Sequence, residues 1–251
     1  MRIVRFRYQR RDFWGILDKN HVQLLKKPPF GGIVRETIKI ALSKVKLLVP
    51  TIPSKIILVG LNYRDHAKEL NLNLPNEPII FLKPHTAMVA HEEKIIYPPR
   101  VKRLDYEAEL AIVIKKEAKG IKEKDAPEFI LGYTCLNDVT ARDLQEKDGQ
   151  WTRSKSFDTF CPIGPWVETK LTPAAVNIKS FVNGRLKQDS NTRQLIFPVK
   201  CLVSFVSRVM TLNPGDIIST GTPLGVGPME AGDRVDVEIQ GIGRLTNYVS
   251  K

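Results

Sequence analysis

The chain has 251 residues, of which 42% are hydrophobic and 26% are charged, and its formal net charge is +12. These values describe a globular protein large enough for one sizeable core and a small additional domain, and no apolar run is long enough to span a membrane. The basic N-terminus is not followed by the apolar stretch of a signal peptide, so we expect a cytoplasmic protein with no membrane partner. The three widely spaced cysteines lack a C-x-x-C pair, so we expect reduced thiols and no zinc site.

The positive charge is concentrated in residues 1–54. This segment contains twelve Lys or Arg and three Asp or Glu, so it carries +9 and leaves only +3 for the rest of the chain. A basic appendage can bind phosphate groups, but it is more often a solvated surface on which Lys and Arg stems cover apolar area. No motif of a nucleic-acid-binding family is present, and we therefore expect no nucleic-acid partner.

The same segment has the pattern of a small β-rich domain. Short apolar runs separated by polar turns predict strands at residues 3–8, 14–17 and 22–25. Residues 37–44 are predicted to form one helix. A proline-punctuated stretch, 49–53, then precedes a new core strand at 56–60, and we place a domain border between residues 54 and 55.

Strand-like runs outnumber helices in the remainder of the chain, at residues 79–82, 110–114, 129–136, 176–182, 217–219 and 233–239. Pro and Gly turns separate them without regular strand–helix alternation, which predicts a mixed α/β fold that is mostly β. An apolar helix is predicted at residues 202–212. It could lie in the core or contribute to the face of a homodimer, and the sequence leaves both open.

Two glutamates, Glu107 and Glu109, stand in an otherwise apolar segment at residues 105–114. Side chains alternate along a strand, so both carboxylates are expected on the same side of a core strand. Two carboxylates in a poorly solvated place repel each other, and a hard divalent cation such as Mg²⁺, Mn²⁺ or Ca²⁺ would remove that conflict. The alternative is an exposed sheet edge that carries two solvated acids.

A third carboxylate, Asp138, follows the predicted strand at 129–136 and opens a segment of helical composition. Asp138 is a normal helix N-cap in that position, which is the simpler interpretation. Asp138, Arg142 and Gln145 are spaced i, i+4 and i+7, so a helix would align them on one face, where they suit a metal and an anionic, oxygen-rich ligand. Alternatively, Arg142 forms an ordinary surface ion pair with Glu146 or Asp138.

Seven stretches, in order, carry the motifs of a known family: VGLNYRDH at 59–66, PIIFLKP at 78–84, DYEAEL at 105–110, NDVTARD at 137–143, SKSFDTFCP at 154–162, VNG at 182–184 and GTPLGVG at 221–227. Residues 55–251 thereby resemble the fumarylacetoacetate hydrolase superfamily, in its smaller C-terminal-domain branch. The resemblance implies mixed sheets forming a β-roll. Residues 1–54 resemble the small β domain that often precedes this fold.

The resemblance assigns roles to the residues singled out above and to several others. It implies a Mg²⁺ or Mn²⁺ ion, replaceable by Ca²⁺ in crystals, held by Glu107, Glu109 and Asp138. The substrate implied is a small 2-oxo acid or an enol dicarboxylate. Lys155 would place positive charge near the developing anion, and the substrate would be bound by Arg142, Gln145, Gly221 and Thr222. A solvated lysine and a plain hairpin turn are the simpler interpretations of Lys155 and of the glycine-rich loop.

His66 and Glu69 complete the implied site. A helix capped by Asn62 and running to Asn71 would place them at i and i+3 on one face. In relatives, a matching His–Glu pair lies on a lid and activates water, whereas an isolated H-x-x-E is more often an exposed helix pair. The founding hydrolase carries its catalytic histidine in a different local motif, so fumarylacetoacetate itself is not the expected substrate.

The resemblance implies a divalent-metal-dependent enzyme that acts on 2-oxo acids or their enols through a metal-bound enolate. The leading hypothesis is C–C bond hydrolysis of acylpyruvates or decarboxylation. One alternative is a 2-hydroxyhepta-2,4-diene-1,7-dioate isomerase of aromatic catabolism. A hypothesis from another class is a basic binding protein with a degenerate site. Relatives of this fold are commonly homodimers, so we also expect a homodimer.

Overall fold

The computed structural model describes residues 1–251 and consists mainly of β-strands, as the sequence predicts. The strands are β1 Arg2–Tyr8, β2 Arg11–Asp18, β3 His21–Leu25, β4 Arg35–Ala41, β5 Lys46–Leu48, β6 Ile56–Val59, β7 Ile80–Lys83, β8 Met88–Val89, β9 Lys94–Ile96, β10 Leu104–Tyr106, β11 Ala108–Ile114, β12 Ile130–Asn137, β13 Thr140–Ala141, β14 Cys161–Glu168, β15 Asn177–Val182, β16 Arg185–Asn191, β17 Ile217–Ser219, β18 Gly227–Met229, β19 Arg234–Ile239 and β20 Gly243–Ser250. The helices are α1 Arg64–Glu69, α2 Arg142–Asp148, α3 Thr152–Lys155 and α4 Val199–Val209. Short 3₁₀ turns lie at Pro29–Gly31, Leu42–Lys44, His85–Ala87, Glu123–Phe129, Pro173–Ala175 and Thr192–Gln194.

The largest sheet joins the N-terminal strands to the rest of the chain. Its strand order is β4-β3-β2-β1-β14-β12-β11-β17-β6-β7, with β5 paired to β1 and β8 paired to β14. The junction is the antiparallel pair β1–β14, where Arg2 lies opposite Glu168 and the ammonium of Met1 lies 2.5 Å from the Glu168 carboxylate. Residues 1–54 therefore extend the same sheet that carries the core of the chain.

Two smaller sheets pack beside the large one, with the orders β13-β10-β18 and β16-β15-β19-β20-β9. All seven residues of β11 are buried, because its two faces contribute to different cores. Leu110 and Ile112 belong to the largest apolar cluster, whereas Ala111 and Val113 face two others. A strand covered on both faces reads as a continuous apolar run, as β11 does, and any charged side chain within it therefore requires specific partners.

The helix predicted at residues 37–44 was wrong. Residues 35–41 form the edge strand β4, which pairs with β3 with Ile40 opposite Val22 and Lys39 opposite Gln23, and a 3₁₀ turn follows at Leu42–Lys44. The β-branched residues Thr37, Ile38 and Ile40 favour extended backbone, and cross-strand packing against β3 decides the outcome.

Helix α4 begins three residues earlier than predicted, directly after Pro198, and its apolar face lies inside the molecule. Leu202, Val203 and Val206 are buried in the largest core cluster. Of the two possibilities left open by the sequence, the core helix is the one observed, and this face is not available to a second subunit. The homodimer itself stays a prediction.

The three cysteines are free thiols, as their spacing predicts. Burial raises the pKa of the Cys135 thiol and, to about 12, that of Cys161, which makes both poor nucleophiles. None of the helices has the length and apolar composition of a membrane-spanning segment.

Gly132 provides a test of the junction between β12 and β14. A Cβ atom at this position would lie 2.5 Å from the carbonyl oxygen of Glu168 and 2.8 Å from a Val167 methyl carbon. We expect Gly132→Ala to lower the free energy of unfolding by about 1–3 kcal/mol because the strands must separate to admit the methyl group. Urea denaturation measures the loss, and Gly31→Ala is the control, since its Cβ would meet only the Lys27 ammonium at 3.8 Å. Equal free energies of unfolding for the two variants would contradict the close contact of Gly132 with β14.

Candidate active site

The site begins where the chain passes from one sheet to another. Strand β10 belongs to the three-stranded sheet and β11 to the large one, so Glu107 lies at the break between them and not within a continuous strand as predicted. The break is fixed by polar contacts. The Glu107 amide donates to the Asn137 side-chain oxygen over 2.9 Å, and the Asp138 amide donates to the Glu107 carbonyl over 2.9 Å. These bonds bring the chain before Glu107 against the end of β12.

Three carboxylates converge at this break. One ligand oxygen from each of Glu107, Glu109 and Asp138 lies within 4.8 Å of the others, and the three residues are 6%, 1% and 1% exposed. Glu107 and Glu109 are therefore not solvated acids on an exposed sheet edge, which was the alternative interpretation. The oxygen-only donor set and the mutual repulsion of buried carboxylates fit a hard divalent cation, which would satisfy both.

Asp138 does not cap a helix, in contrast to the simpler interpretation of its position. Thr140–Ala141 form the short strand β13, paired with Leu104 and Asp105, and helix α2 begins only at Arg142 with Ala141 as its N-cap and no side-chain cap. The pairing with β10 interrupts the predicted helix and leaves the Asp138 carboxylate free to point at the two glutamates.

Lys155 is a counter-charge shared by two of the carboxylates, Glu107 and Asp138. It is 2% exposed, and its Nζ lies 2.6 Å from Asp138 Oδ2 and 3.0 Å from Glu107 Oε2. Burial alone would raise the pKa of Glu107, but the charges of Lys155 and Arg142 outweigh it and lower this pKa to about 2. Lys155 is therefore not the solvated lysine of the simpler interpretation.

Glu109 has no such cation beside it. Its carboxylate accepts hydrogen bonds from the Ser219 hydroxyl and, over 3.0 Å, from the Gly221 amide. Burial, together with the negative charges of Asp138 and Glu107, raises its pKa well above the ordinary value. Of the three carboxylates, Glu109 is thus the one without a neighbouring positive charge, and a bound cation would stabilise its ionised form most.

Lys83 is a member of the centre that the sequence did not single out. It is 2% exposed at the end of β7, and its Nζ donates to the carbonyls of Val139 and Phe160 over 2.9 and 2.5 Å while lying 2.6 Å from Asp138 Oδ1. The signal was a lysine that ends an apolar strand directly before Pro84. A charged residue in such a place is buried only with partners.

The loop that begins at Gly221 approaches the centre closely. Gly221 has φ +88°, and a Cβ there would lie 3.0 Å from Asn62 Cβ and 3.1 Å from the Gly60 carbonyl oxygen, so the position requires glycine. The Thr222 hydroxyl donates to the Ala108 carbonyl over 2.9 Å, between the two glutamates. The loop is therefore more than a hairpin turn, because it fastens the glutamate segment in place.

Gln188 joins the same contacts and was also not predicted. Its side-chain oxygen accepts from the Ala108 amide over 3.0 Å, and its side-chain nitrogen donates to Thr222 Oγ1 and to the Pro223 carbonyl over 2.9 Å each. A fully buried glutamine thus links the glutamate segment to the loop, in a position that is 80 residues distant along the chain from Ala108.

Asn62 does not cap helix α1, contrary to the prediction. The N-cap is Tyr63, with no side-chain cap, and the helix runs only from Arg64 to Glu69. The Asn62 amide instead accepts from the Phe197 amide over 2.8 Å and donates to the Thr220 carbonyl over 2.7 Å. Asn62 therefore anchors the start of the helix to the loop beside the carboxylates.

His66 and Glu69 form the predicted pair on this helix. His66 Nδ1 lies 2.8 Å from Glu69 Oε2. The other Glu69 oxygen accepts from the Gly225 amide over 3.0 Å, so the glycine-rich loop also holds the pair. Because Glu69 engages Nδ1, Nε2 is the ring nitrogen left available for proton transfer.

Arg142 and Gln145 lie on one face of α2, as predicted, but Asp138, the third member of the predicted stripe, precedes the helix. Arg142 is not paired with Glu146. Its three nitrogens donate to Asp105 over 2.9 Å, to Glu107 over 2.5 Å and to Gln145 over 2.5 Å. Asp105 is fully buried and was not predicted as part of the site. Its role follows from the contact, since it orients the guanidinium that approaches Glu107.

These side chains surround a cavity of about 670 Å³. The predicted site residues that line it are His66, Glu107, Glu109, Asp138, Arg142, Gln145, Lys155 and Thr222. Glu69 and Gly221 stand behind this lining and act on it through His66 and Glu109. One cavity therefore brings together a basic histidine, three carboxylates and a buried lysine.

Comparisons with known proteins give the family of the chain. Residues 55–250 match the family model described as fumarylacetoacetate (FAA) hydrolase, C-terminal, and residues 1–50 match the model described as Rv2993c-like, N-terminal.

The chain is 63% identical over 197 residues to protein MJ1656 of Methanocaldococcus jannaschii, covering 78% of this chain and 83% of that protein. It is 45% identical over 219 residues to the mitochondrial oxaloacetate tautomerase Fahd2a of Rattus norvegicus, covering 82% and 70%. The crystal structure of 5-carboxymethyl-2-hydroxymuconate delta-isomerase from Mycobacterium smegmatis superimposes with a TM-score of 0.94 at 43% identity, covering 100% and 99%.

The fold and the site define an enzyme of the fumarylacetoacetate hydrolase superfamily. The chain belongs to the fumarylacetoacetate hydrolase family, which confirms the resemblance and the fold class drawn from the sequence. Enzymes of this family are generally dependent on a divalent metal, and the acidic triad provides a place for one. The alternative of a basic binding protein with a degenerate site finds no support.

Lys83→Met tests the counter-charge that the sequence did not predict. Removing one partner of a buried ion pair costs about 3–5 kcal/mol, so we expect a loss of this order in chelator-treated protein. Added Mn²⁺ should stabilise the variant more than the wild type, because the ion then supplies the missing positive charge. Thermal denaturation with and without Mn²⁺ measures both effects. The control is Lys46→Met, where the lysine side chain is 59% exposed and its pair with Glu93 contributes at most about 1 kcal/mol. A loss no greater than that of the control would refute the assignment.

Proposed function

We propose that the chain is a divalent-metal-dependent enzyme that cleaves the C–C bond of acylpyruvates by hydrolysis, acting on a 2-oxo acid or its enol. The observation that carries the proposal is the joint presence, around one cavity, of the three carboxylates with Lys155 and of the His66–Glu69 pair. The first group suits stabilisation of negative charge on a 2-oxo acid, and the second suits activation of water.

Glu107, Glu109 and Asp138 would hold Mg²⁺ or Mn²⁺. When bound, the ion would polarise the 2-oxo group of the substrate and offset negative charge that develops there. Glu109 and Asp138 are each 1% exposed, so little water competes for their oxygens. The hydrogen bonds from Ser219 and Gly221 orient the Glu109 carboxylate toward the same point as the other two.

Lys155 would supply positive charge beside the reacting end of the substrate. Its ammonium is fixed by Asp138 and Glu107, which also keep it protonated, since their charges outweigh the effect of burial and raise its pKa. Arg142 and Gln145 remain the predicted ligands of the substrate carboxylate. Because the Arg142 nitrogens already donate to three side chains, the Gln145 amide nitrogen is the freer donor of the two.

His66 would act as the general base. Its Nε2 accepts a proton from water, and Glu69 at Nδ1 stabilises the imidazolium that forms. The hydroxide adds to the 4-carbonyl carbon of the acylpyruvate, and the C3–C4 bond then breaks. The electron pair of that bond stays with the pyruvyl half, which regains a proton at C3. The products are a carboxylic acid and pyruvate, and the equation balances with one water consumed.

The second candidate is tautomerisation or isomerisation of the same kind of substrate. The activities for which two relatives are named favour it, one an oxaloacetate tautomerase and the other a delta-isomerase. Proton transfer at C3 by His66 without attack of water would give this outcome from the same residues. Ultraviolet absorbance of a conjugated 2-hydroxydienoate, followed on mixing with the enzyme, detects isomerisation directly.

The metal assignment is tested by Glu109→Gln. Replacing a ligand carboxylate by an amide removes its charge while keeping its shape, and we expect Mn²⁺ affinity to fall at least about tenfold. Calorimetric titration of chelator-treated protein with Mn²⁺ provides the measurement. Glu117→Gln, a change of an exposed residue outside the cavity, is the matched control and should bind as the wild type does. Unchanged affinity in Glu109→Gln would remove Glu109 from the site.

Hydrolysis is separated from the other outcomes by comparing two variants on an acylpyruvate and on oxaloacetate, each with Mg²⁺ and with chelator. If His66 activates water, His66→Ala lowers hydrolysis roughly 10²–10⁴-fold and affects oxaloacetate decarboxylation much less, because decarboxylation needs no attacking water. Lys155→Ala lowers both, because both place negative charge beside the ammonium.

The control for this comparison is His21→Ala, since His21 is exposed on β3 and does not line the cavity. Equal losses of both activities in His66→Ala would show that the pair positions substrate, and water activation would be abandoned. No chelator-sensitive turnover of any 2-oxo acid would refute the proposed function.

A further inference from the structure

The cavity has an apolar wall that the proposed chemistry does not use. It is formed by the apolar lining residues Leu70, Leu72, Pro75, Ile79, Phe81 and Trp151. The rings of Phe81 and Trp151 meet edge to face with centroids 5.2 Å apart. A Cβ at Gly60 would lie 3.1 Å from the Trp151 ring and 3.5 Å from Ile79 Cβ, so the absence of a side chain at Gly60 admits both residues to the wall.

This wall begins beside the reacting end of the site. The Lys155 ammonium lies 5.3 Å from the centroid of the Phe81 ring. A substrate whose pyruvyl end reaches Lys155 would therefore extend its acyl group along Phe81 and Trp151.

Several side chains of the wall remain open to solvent. Leu70, Leu72 and Ile79 are 49%, 54% and 52% exposed, although they line a concave surface. A ligand that covers this apolar area excludes water from it, which favours binding. The gain corresponds to about fourfold in affinity for each methylene buried.

The charges around the cavity oppose a second, remote carboxylate. The only Lys or Arg side chains among its lining residues are Lys155 and Arg142, and both are engaged with Glu107. The one further charged lining residue outside the carboxylate triad is Glu146, which is acidic. A carboxylate at the far end of a substrate would thus be desolvated without a cation to pair with it.

The size of the cavity also favours a ligand longer than a short 2-oxo acid. Its volume of about 670 Å³ lies within the range of roughly 300–1,000 Å³ that is typical of pockets for ligands much larger than a four-carbon acid. A short 2-oxo acid would leave most of the apolar wall wet.

From these observations we infer that the preferred ligand is a 2,4-dioxo acid whose acyl group is extended, uncharged and apolar, alkyl or aryl, and not a dicarboxylate with a remote acid group. The inference rests on the proposed function for the placement of the pyruvyl end. It deepens that function by assigning the acyl group to Leu72, Ile79, Phe81 and Trp151.

The test uses two acylpyruvates of the same shape, 4-methylpentanoylpyruvate and succinylpyruvate, which differ in a terminal isopropyl group against a terminal carboxylate. Dissociation constants are measured by calorimetry on Mg²⁺-loaded protein at a temperature where turnover is slow. We expect the isopropyl compound to bind at least about tenfold more tightly. A series from acetylpyruvate to hexanoylpyruvate should gain about fourfold in affinity per methylene until the wall is covered.

Leu72→Arg introduces a cation into the wall and should bring the affinity ratio of the two compounds to one or reverse it. Leu74→Arg is the matched control, because Leu74 lies in the same segment and is 46% exposed but does not line the cavity. It should keep the wild-type ratio. Trp151→Ala should reduce the gain in affinity per methylene, because it removes apolar area from the wall.

Tighter binding of succinylpyruvate, or no dependence on chain length, would overturn the inference even if both compounds are hydrolysed. Conversely, the expected order of affinities without any hydrolysis would uphold the inference and refute the proposed function. Since binding and turnover are read separately, the two failures are distinguishable.

Discussion

The rest of the site depends on the burial of three carboxylates at one point. Glu107 and Asp138 are compensated by cations within the protein, namely Lys155, Lys83 and Arg142, through contacts of 2.5–3.0 Å. Glu109 has only the Ser219 hydroxyl and the Gly221 amide. The protein thus places positive charges beside Glu107 and Asp138 and leaves Glu109 without one. A divalent cation can supply this missing charge without competing against a fully paired network.

The backbone around this point is built to hold that arrangement. A change of sheet at Glu107, the Gln188 contacts and the left-handed backbone of Gly221 each bring main-chain groups close to the carboxylates. The same loop continues to Gly225, whose amide binds Glu69. The metal ligands and the proposed base are therefore supported by one continuous loop, and a displacement of that loop would disturb both at once.

The sequence predicted the parts of the site that depend on local pattern. The spacing of Glu107 and Glu109 within an apolar run predicted convergence, whereas the His66–Glu69 pair was implied by the family resemblance, with which its i, i+3 spacing is consistent. Residues that act through distant contacts were not predictable in this way, since Lys83 and Asp138 are 55 positions apart. The helix predicted at 37–44 was overridden by strand pairing with β3, and the N-cap that was the simpler interpretation of Asp138 was excluded by the pairing of β13 with β10.

The central claim is that Glu107, Glu109 and Asp138 bind one cation together. The most direct measurement is anomalous X-ray diffraction from crystals of the protein grown with Mn²⁺. We predict a single strong anomalous peak with an oxygen of each carboxylate at about 2.0–2.3 Å. A peak elsewhere, or carboxylates that turn away from a common point when Mn²⁺ is present, would contradict it.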